Sequence, residues 1–335
     1  MKNKLLFLWC LCGLSAFAQE NTGYQTPPKA LADLVTAPPT PTVSVDSKGQ
    51  WMLISERNTA TTTIAELSQP EFRIAGLRIN PATNGPSRAI FVNNLKFRQV
   101  SANAADVQVT GLPANPQLSF IQWSPDDSKV AFTNTTDTKI ELYVVDVATA
   151  VAKKVSEVAL NAVLGIPYQW VSDSKSFIVR GIPTERGTAP EITRVPSGPT
   201  VQENLGTKAQ AATYQDLLKS PADEKQFEYY ATAQTMKIGL DGTVQKIGPM
   251  GLIATAAPSP DGRYVLVESI HRPFSYLVTV NRFPSKIDLF DASGSLAKTL
   301  TDVPLQENVP WGQDAAPSGQ RNHNWRNDAP ATVYW

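Results

Sequence analysis

One short pattern recurs along the chain and constrains its fold more than any other feature. A strand end is followed by a turn of Ser, Pro, Asp and Gly, and then by a second apolar run. The clearest copy is Trp123-Ser124-Pro125-Asp126-Asp127-Ser128-Lys129-Val130-Ala131-Phe132. Others run from Trp170 to Val179 and from Pro258 to Val267, with weaker copies from Ser44 to Ile54 and from Trp325 to Trp335. Asp and Ser side chains bond the backbone of such turns, and the β-branched and aromatic residues that follow suit a pleated, buried surface. Each copy therefore reads as a tight antiparallel hairpin.

The segments after these hairpins repeat too. Ile140 to Val147 and Val151 to Val155 are expected strands around the turn Ala148-Thr149-Ala150. Met236 to Leu240 and Thr243 to Ile247 flank Asp241-Gly242, and Lys286 to Phe290 and Leu296 to Leu300 flank Ala292-Ser293-Gly294. Four short strands per unit is the signature of propeller blades. The expected fold is all-β, a β-propeller of four-stranded antiparallel blades, incomplete at about four and a half blades. Blades are placed at 43–112, 118–157, 161–248 and 251–303, and a fifth begins near Arg321. Blades one and three are too long for four strands, so insertions are expected near Thr59 to Ser87 and Pro183 to Ala233. The second of these should hold helices around Tyr214 to Leu218 and Asp223 to Tyr230. An unclosed ring leaves strand edges bare, so a fragment of a longer protein is expected.

The N-terminus reads as a cleavable export signal, residues 1–18. Lys2 and Lys4 precede an apolar stretch too short for a bilayer, and Ala16-Phe17-Ala18 is a cleavage pattern, which places the start of the mature chain near Gln19. A periplasmic or secreted product is expected. An extended arm, 19–42, follows, with a short helix at Lys29 to Val35 before Pro38, Pro39 and Pro41. Cys10 and Cys12, the two cysteines, lie in the signal, so the mature chain has no disulfide and no thiolate ligand. Thirty basic and thirty acidic residues balance, which argues against a nucleic-acid partner or a polybasic membrane patch.

Chemistry is hard to find within these residues. The strand-to-helix serine pattern G-x-S-x-G of α/β-hydrolases is absent. His271 and His323 are the two histidines, with no zinc spacing, and both read as loop histidines. Asp126, Asp127, Asp173 and Asp261 recur with the repeat and read as turn residues rather than calcium ligands. No catalytic residue, cofactor or metal is assigned.

A set of segments, ordered along the mature chain, resembles the glutamyl endopeptidase branch of the prolyl oligopeptidase family. They are Tyr24 to Val35, Leu67-Ser68-Gln69-Pro70-Glu71, Ile74 to Ile79, Pro196-Ser197-Gly198-Pro199, Tyr214 to Leu218, Phe227-Glu228-Tyr229-Tyr230, His271-Arg272-Pro273-Phe274-Ser275-Tyr276, Arg282-Phe283-Pro284 and Asn324-Trp325-Arg326. The resemblance implies a propeller that caps an α/β-hydrolase domain with a Ser-Asp-His triad and restricts its substrates, which are cleaved after acidic residues. That catalytic domain would lie beyond Trp335, and this portion alone is expected to be inactive. The partner implied is a peptide or protein substrate. Arg78, Arg272, Arg282 and Arg321 lie in or beside the resembling segments and are candidates for holding an acidic side chain, since Arg pairs a carboxylate bidentately. A non-catalytic periplasmic TolB-like propeller that binds protein or peptide is the alternative, because the turn repeats suit both. A carbohydrate-active propeller has nothing positive behind it.

Overall fold

The computed structural model describes residues 23, 25–101, 103–191, 206, 213–308 and 319–335. The expected signal and the Pro196–Pro199 segment lie outside them. The arm carries helix α1 (Lys29–Thr36), ended by the prolines as expected.

The first sheet opens with β1 (Thr42–Val45) and β2 (Trp51–Glu56). An insertion, 57–93, then holds the one-turn helix α2 (Ile64–Leu67) and a small sheet of β3 (Phe72–Ile74), β4 (Leu77–Asn80) and β5 (Gly85–Pro86). Strands β6 (Asn94–Gln99) and β7 (Val107–Gln108) complete the first sheet in the order β1-β2-β6-β7. The second sheet is β8 (Leu118–Trp123), β9 (Lys129–Thr135), β10 (Ile140–Asp146) and β11 (Val151–Lys154). The third is β12 (Tyr168–Trp170), β13 (Ser176–Gly181), β14 (Gln234–Gly239) and β15 (Val244–Lys246), with helix α3 (Pro221–Ala231) inserted after β13. The fourth is β16 (Leu252–Pro258), β17 (Tyr264–Ile270), β18 (Ser285–Asp291) and β19 (Leu296–Val303). A two-stranded sheet of β20 (Asn324–Trp325) and β21 (Val333–Tyr334) follows. All pairings within these sheets are antiparallel, so the chain is all-β in four-stranded units, as the repeat predicts.

The sheets stack in chain order. Leu53 and Phe97 of the first sheet share a cluster with Val130 and Phe132 of the second. Leu142 and Val144 of the second meet Phe177 and Ile238 of the third. Ile178 of the third meets Val265, Val267 and Phe290 of the fourth. Leu266 and Ile287 of the fourth meet Trp325. Alternate residues of one strand thus face opposite neighbours: Phe177 and Val179 look back, Ile178 looks forward. This explains why the middle strands read as continuous apolar runs, since both of their faces are covered.

Antiparallel order also sorts the connections. The turns from first to second strand leave each sheet on one side, and the second-to-third connections leave on the other. The repeated Asp/Ser turns share the first side and bond one another. Ser47 Oγ donates to Asp127 Oδ2 at 2.5 Å, Lys48 Nζ to the Asp126 carbonyl at 2.7 Å, and the Asp126 N–H to Ser174 Oγ at 3.1 Å. The Asp261 N–H donates to the Pro330 carbonyl at 3.0 Å. The long insertions 57–93, 182–233 and 271–284 all join second to third strands, and so all emerge on the opposite side.

Two details differ from the sequence reading. Residues Tyr214–Leu218 are not helical, because Asp216 takes a left-handed backbone (φ 57°) and its carbonyl accepts the Gly76 N–H at 2.8 Å. The fourth sheet carries a 14-residue insertion, 271–284, that the blade lengths did not reveal. The helix expected at Asp223 to Tyr230 is present as α3, capped by Ser220 with Pro221 in its first turn.

Candidate functional site

The three insertions converge on one apolar cluster. Ile74, Ala75 and Ile79 come from the first, Leu218, Phe227, Tyr230 and Ala231 from the second, and Val278, Val280 and Phe283 from the third. Phe227 stands edge-on to Phe274 and Phe283 at 5.2 and 5.8 Å. Gly76 makes the closest approach: its φ is 80°, and a Cβ there would lie 2.5 Å from Thr279 Cγ2. The Val280 N–H donates to the Ala75 carbonyl alongside it. Polar ties hold the end of α3 as well. Tyr230 and Thr232 carbonyls accept from Asn161 Nδ2 at 2.8 and 2.9 Å, and Asn84 Nδ2 reaches Tyr230 at 3.1 Å, which satisfies groups a helix end leaves bare.

Around this cluster lie the candidate arginines. Arg272 donates from Nε and Nη2 to Glu228 at 2.7 and 2.9 Å, and from Nη1 to Glu224 at 2.6 Å, and its guanidinium lies 4.7 Å from the centre of the Phe274 ring. Its hydrogen bonds to Glu228 and Glu224 raise its pKa further above the ordinary range. Tyr276 also donates to Glu224. Arg78 donates to Asp216 at 3.0 Å, tying the first insertion to the second. Arg282 is half-buried beside Phe283, and its side chain has no ion pair or hydrogen bond among the described residues. Arg321 lies apart, exposed beside the two-stranded sheet, where it borders a hollow with Trp335. The structure thus gathers Arg78, Arg272 and Arg282 around one cluster and leaves Arg321 outside it.

The histidines stand on other partners than serine. His271 Nδ1 faces the Arg272 carbonyl at 2.6 Å and Nε2 the Asp302 carboxylate at 2.9 Å. Burial opposes its protonation, but those two acceptors outweigh burial and raise its pKa. His323 Nε2 meets the Gln320 side chain at 3.2 Å. The repeat aspartates are engaged in their turns: Asp173 accepts from the Lys175 and Ser176 N–H groups, and Asp261 from Ser259 Oγ and Arg263.

Arg180 escaped the sequence reading because it sits inside an apolar strand. It is 3% exposed, and its guanidinium donates to four carbonyls, those of Leu164, Ile166, Ile253 and Ala254, at 2.6 to 3.2 Å. Burial lowers its pKa to about 10. It pins the crossing between the second and third sheets to β16. Arg186 links two insertions by donating to the Tyr229 carbonyl and to Asn84 Oδ1, both at 3.2 Å. No group of carboxylates and histidines among the described residues could hold a metal ion. No helix among them is long and apolar enough to cross a membrane.

Consecutive four-stranded antiparallel sheets with insertions gathered on one side define the class: an all-β domain of stacked four-stranded units. The chain is 36% identical over 326 residues to a rice protein named as a probable chloroplastic glutamyl endopeptidase, covering 93% of this chain. An Arabidopsis thaliana protein of the same name is 35% identical over 325 residues, again across 93% of this chain. The chain is therefore related by sequence to proteins named as glutamyl endopeptidases, in line with its motifs. It spans about a third of those relatives' length, 34% in each case. Among solved structures, the acylaminoacyl peptidase of Pyrococcus horikoshii aligns with 80% of this chain and 33% of its own, at 12% identity and a TM-score of 0.42. No family model matches the chain.

Proposed function

We propose that these residues form the propeller portion of an exported glutamyl-endopeptidase-type serine peptidase, whose triad resides in an α/β-hydrolase module outside them. The observation that carries this is the 36% identity sustained over 93% of the chain. On this reading the insertion side faces the catalytic module and helps to admit and orient peptide substrates. The blades form an incomplete ring, completed by further sheets of the same kind. Export rests on the pattern of Met1 to Ala18, and N-terminal sequencing of the mature protein should begin at Gln19. Among the four arginines, Arg282 is the best suited to a substrate carboxylate, since its charge is uncompensated among the described residues. Arg78 and Arg272 would have to release Asp216, or Glu224 and Glu228, before holding a ligand.

The test is the chain alone against the chain joined to its α/β-hydrolase module. The chain alone should not cleave peptides after glutamate, and the joined protein should. In the joined protein, Arg282→Gln should lower the preference for Glu over Gln substrates about tenfold or more, the worth of one charge-assisted hydrogen bond. Cleavage by the chain alone would overturn the division of labour. Peptide binding without any cleavage by the joined protein would instead favour the non-catalytic binding propeller.

A further inference from the structure

Arg57 follows the last residue of β2, at the root of the first insertion, and is half-buried. Nearly every other described arginine is engaged: Arg73 and Arg88 with Glu71, Arg98 with Asp106, Arg263 with Asp261, Arg326 with Asp328, and Arg180 with carbonyls. Arg57 has no ion pair or hydrogen bond from its side chain among the described residues. Holding a guanidinium partly out of water without an anion is unfavourable unless something pairs with it.

Its surroundings are shaped for such a partner. Arg57 lines a cleft of about 460 Å³ between the first insertion and the edges of the first two sheets. Apolar Ile90 (67% exposed) and Phe91 share the wall with the hydroxyls and amides of Thr61, Thr136 and Gln117. On its other side Arg57 borders a hollow formed by the extended arm Pro38–Pro41. The volume falls in the range of small-ligand sites and suits a few residues of peptide. Glu66 and Asp137 also line the cleft, and Glu66 is occupied in the cap of α2 by Thr63. Arg88 lines the cleft too, but its charge is met by Glu71, so Glu66 and Asp137 disfavour a dense polyanion such as phosphate, while a single carboxylate at Arg57 is tolerated.

We infer that the Arg57 cleft is a binding site for a peptide carboxylate, separate from the Arg78, Arg272 and Arg282 cluster. The carboxylate recognised is that of an acidic side chain or of a free C-terminus. The guanidinium pairs with it and the Ile90–Phe91 wall takes the neighbouring apolar side chain.

Calorimetric titration of the full chain tests this without any hydrolysis, so its failure leaves the peptidase reading untouched. The probes are acetyl-Ala-Leu-Glu-amide, acetyl-Ala-Leu-Ala free acid and the neutral acetyl-Ala-Leu-Gln-amide. At least one of the two acids should bind tenfold or more tighter than the neutral peptide, and which one does identifies the source of the carboxylate. Arg57→Gln should abolish the difference and Arg57→Lys should restore part of it. Melting temperatures should stay within a few degrees, because the Arg57 side chain makes no hydrogen bond or ion pair among the described residues. Inorganic phosphate should compete no better than sodium chloride of equal ionic strength. Equal binding of all three peptides, a difference that survives Arg57→Gln, or displacement by phosphate would overturn the assignment.

Discussion

At the scale of single residues, the turns that define the repeat are electrostatic devices. Asp127 is buried and accepts from the Ser47 hydroxyl and N–H. The Ser47 hydroxyl bond, helped by the Ser47 N–H and Lys48, outweighs burial and holds its carboxyl below the ordinary value of 3.8. A carboxylate depressed in the folded state adds stability that is present above the unfolded pKa and lost as pH falls through the folded one. Asp127→Asn keeps a side chain that tolerates the left-handed backbone here (φ 62°) and removes the charge. It should lower stability at pH 7 by about 1–2 kcal/mol, the loss of charge-assisted bonds. The gap from the unmodified protein should close as pH drops below about 4, because protonation then costs the unmodified protein the same interaction. Urea midpoints measured from pH 7 to pH 2.5 would show whether the gap closes.

Arg180 poses the opposite problem, a buried cation answered by carbonyls alone among the described residues. Arg180→Met keeps most of the stem but leaves the oxygens of Leu164, Ile166, Ile253 and Ala254 without their donor. Each orphaned buried acceptor costs about 1–3 kcal/mol where water cannot reach it, so a total loss near 3 kcal/mol or more is expected. An unchanged urea midpoint would mean that water replaces the guanidinium.

Among the elements, the two-stranded sheet of β20 and β21 is anchored chiefly by Trp325, its buried side chain. Trp325 is 5% exposed, packs on Leu266 and Ile287, and donates from its indole to the Ala257 carbonyl at 3.0 Å. Trp325→Ala should remove about 3–5 kcal/mol of local packing. The loss should appear as fast amide exchange in residues 319–335, while the second and third sheets stay protected. Uniform loss of protection would show that the sheets unfold as one unit instead. The sequence shows such sheets well and their decorations poorly. Turn chemistry and alternating apolar residues are local, so the hairpin that opens each of the four sheets was legible. The third and fourth strands of the second, third and fourth sheets fall within about three residues of their expected bounds, while β6 and β7 follow a long insertion and were not placed. The partners of Arg78 and Arg272 were not, because Asp216 lies 138 residues from Arg78 and Glu224 lies 48 from Arg272. Local residue pattern favours a helix at Tyr214–Leu218, but a tertiary bond to Gly76 fixes a left-handed residue in its middle. The signal that could have exposed the third insertion is the distance from β17 to β18, 14 residues, against four from β9 to β10.

For the molecule as a whole, the two faces of the first sheet tell different stories. Ser44 points toward the second sheet, where its hydroxyl accepts from the Trp123 indole at 3.1 Å. Its neighbours Val43 and Val45 alternate to the opposite face and are 52% and 50% exposed. In the register of β1 with β2 they stand beside Ile54 and Met52, which makes an apolar strip on that face. Every later interface between four-stranded sheets is built from such strips. If sheets that complete a ring cover this one in a longer protein, the same two valines are exposed in the chain alone and buried in the whole. Val43→Thr and Val45→Thr should then change the stability of the chain alone by less than about 0.5 kcal/mol each, as surface substitutions do. In the protein extended by its remaining sheets, each should cost about 1–2 kcal/mol, because a hydroxyl would be buried without a designated partner. Chemical denaturation of both lengths gives the comparison directly. An equally small effect in the two would show that this face meets solvent rather than another blade, and the incomplete-ring reading would fall with it.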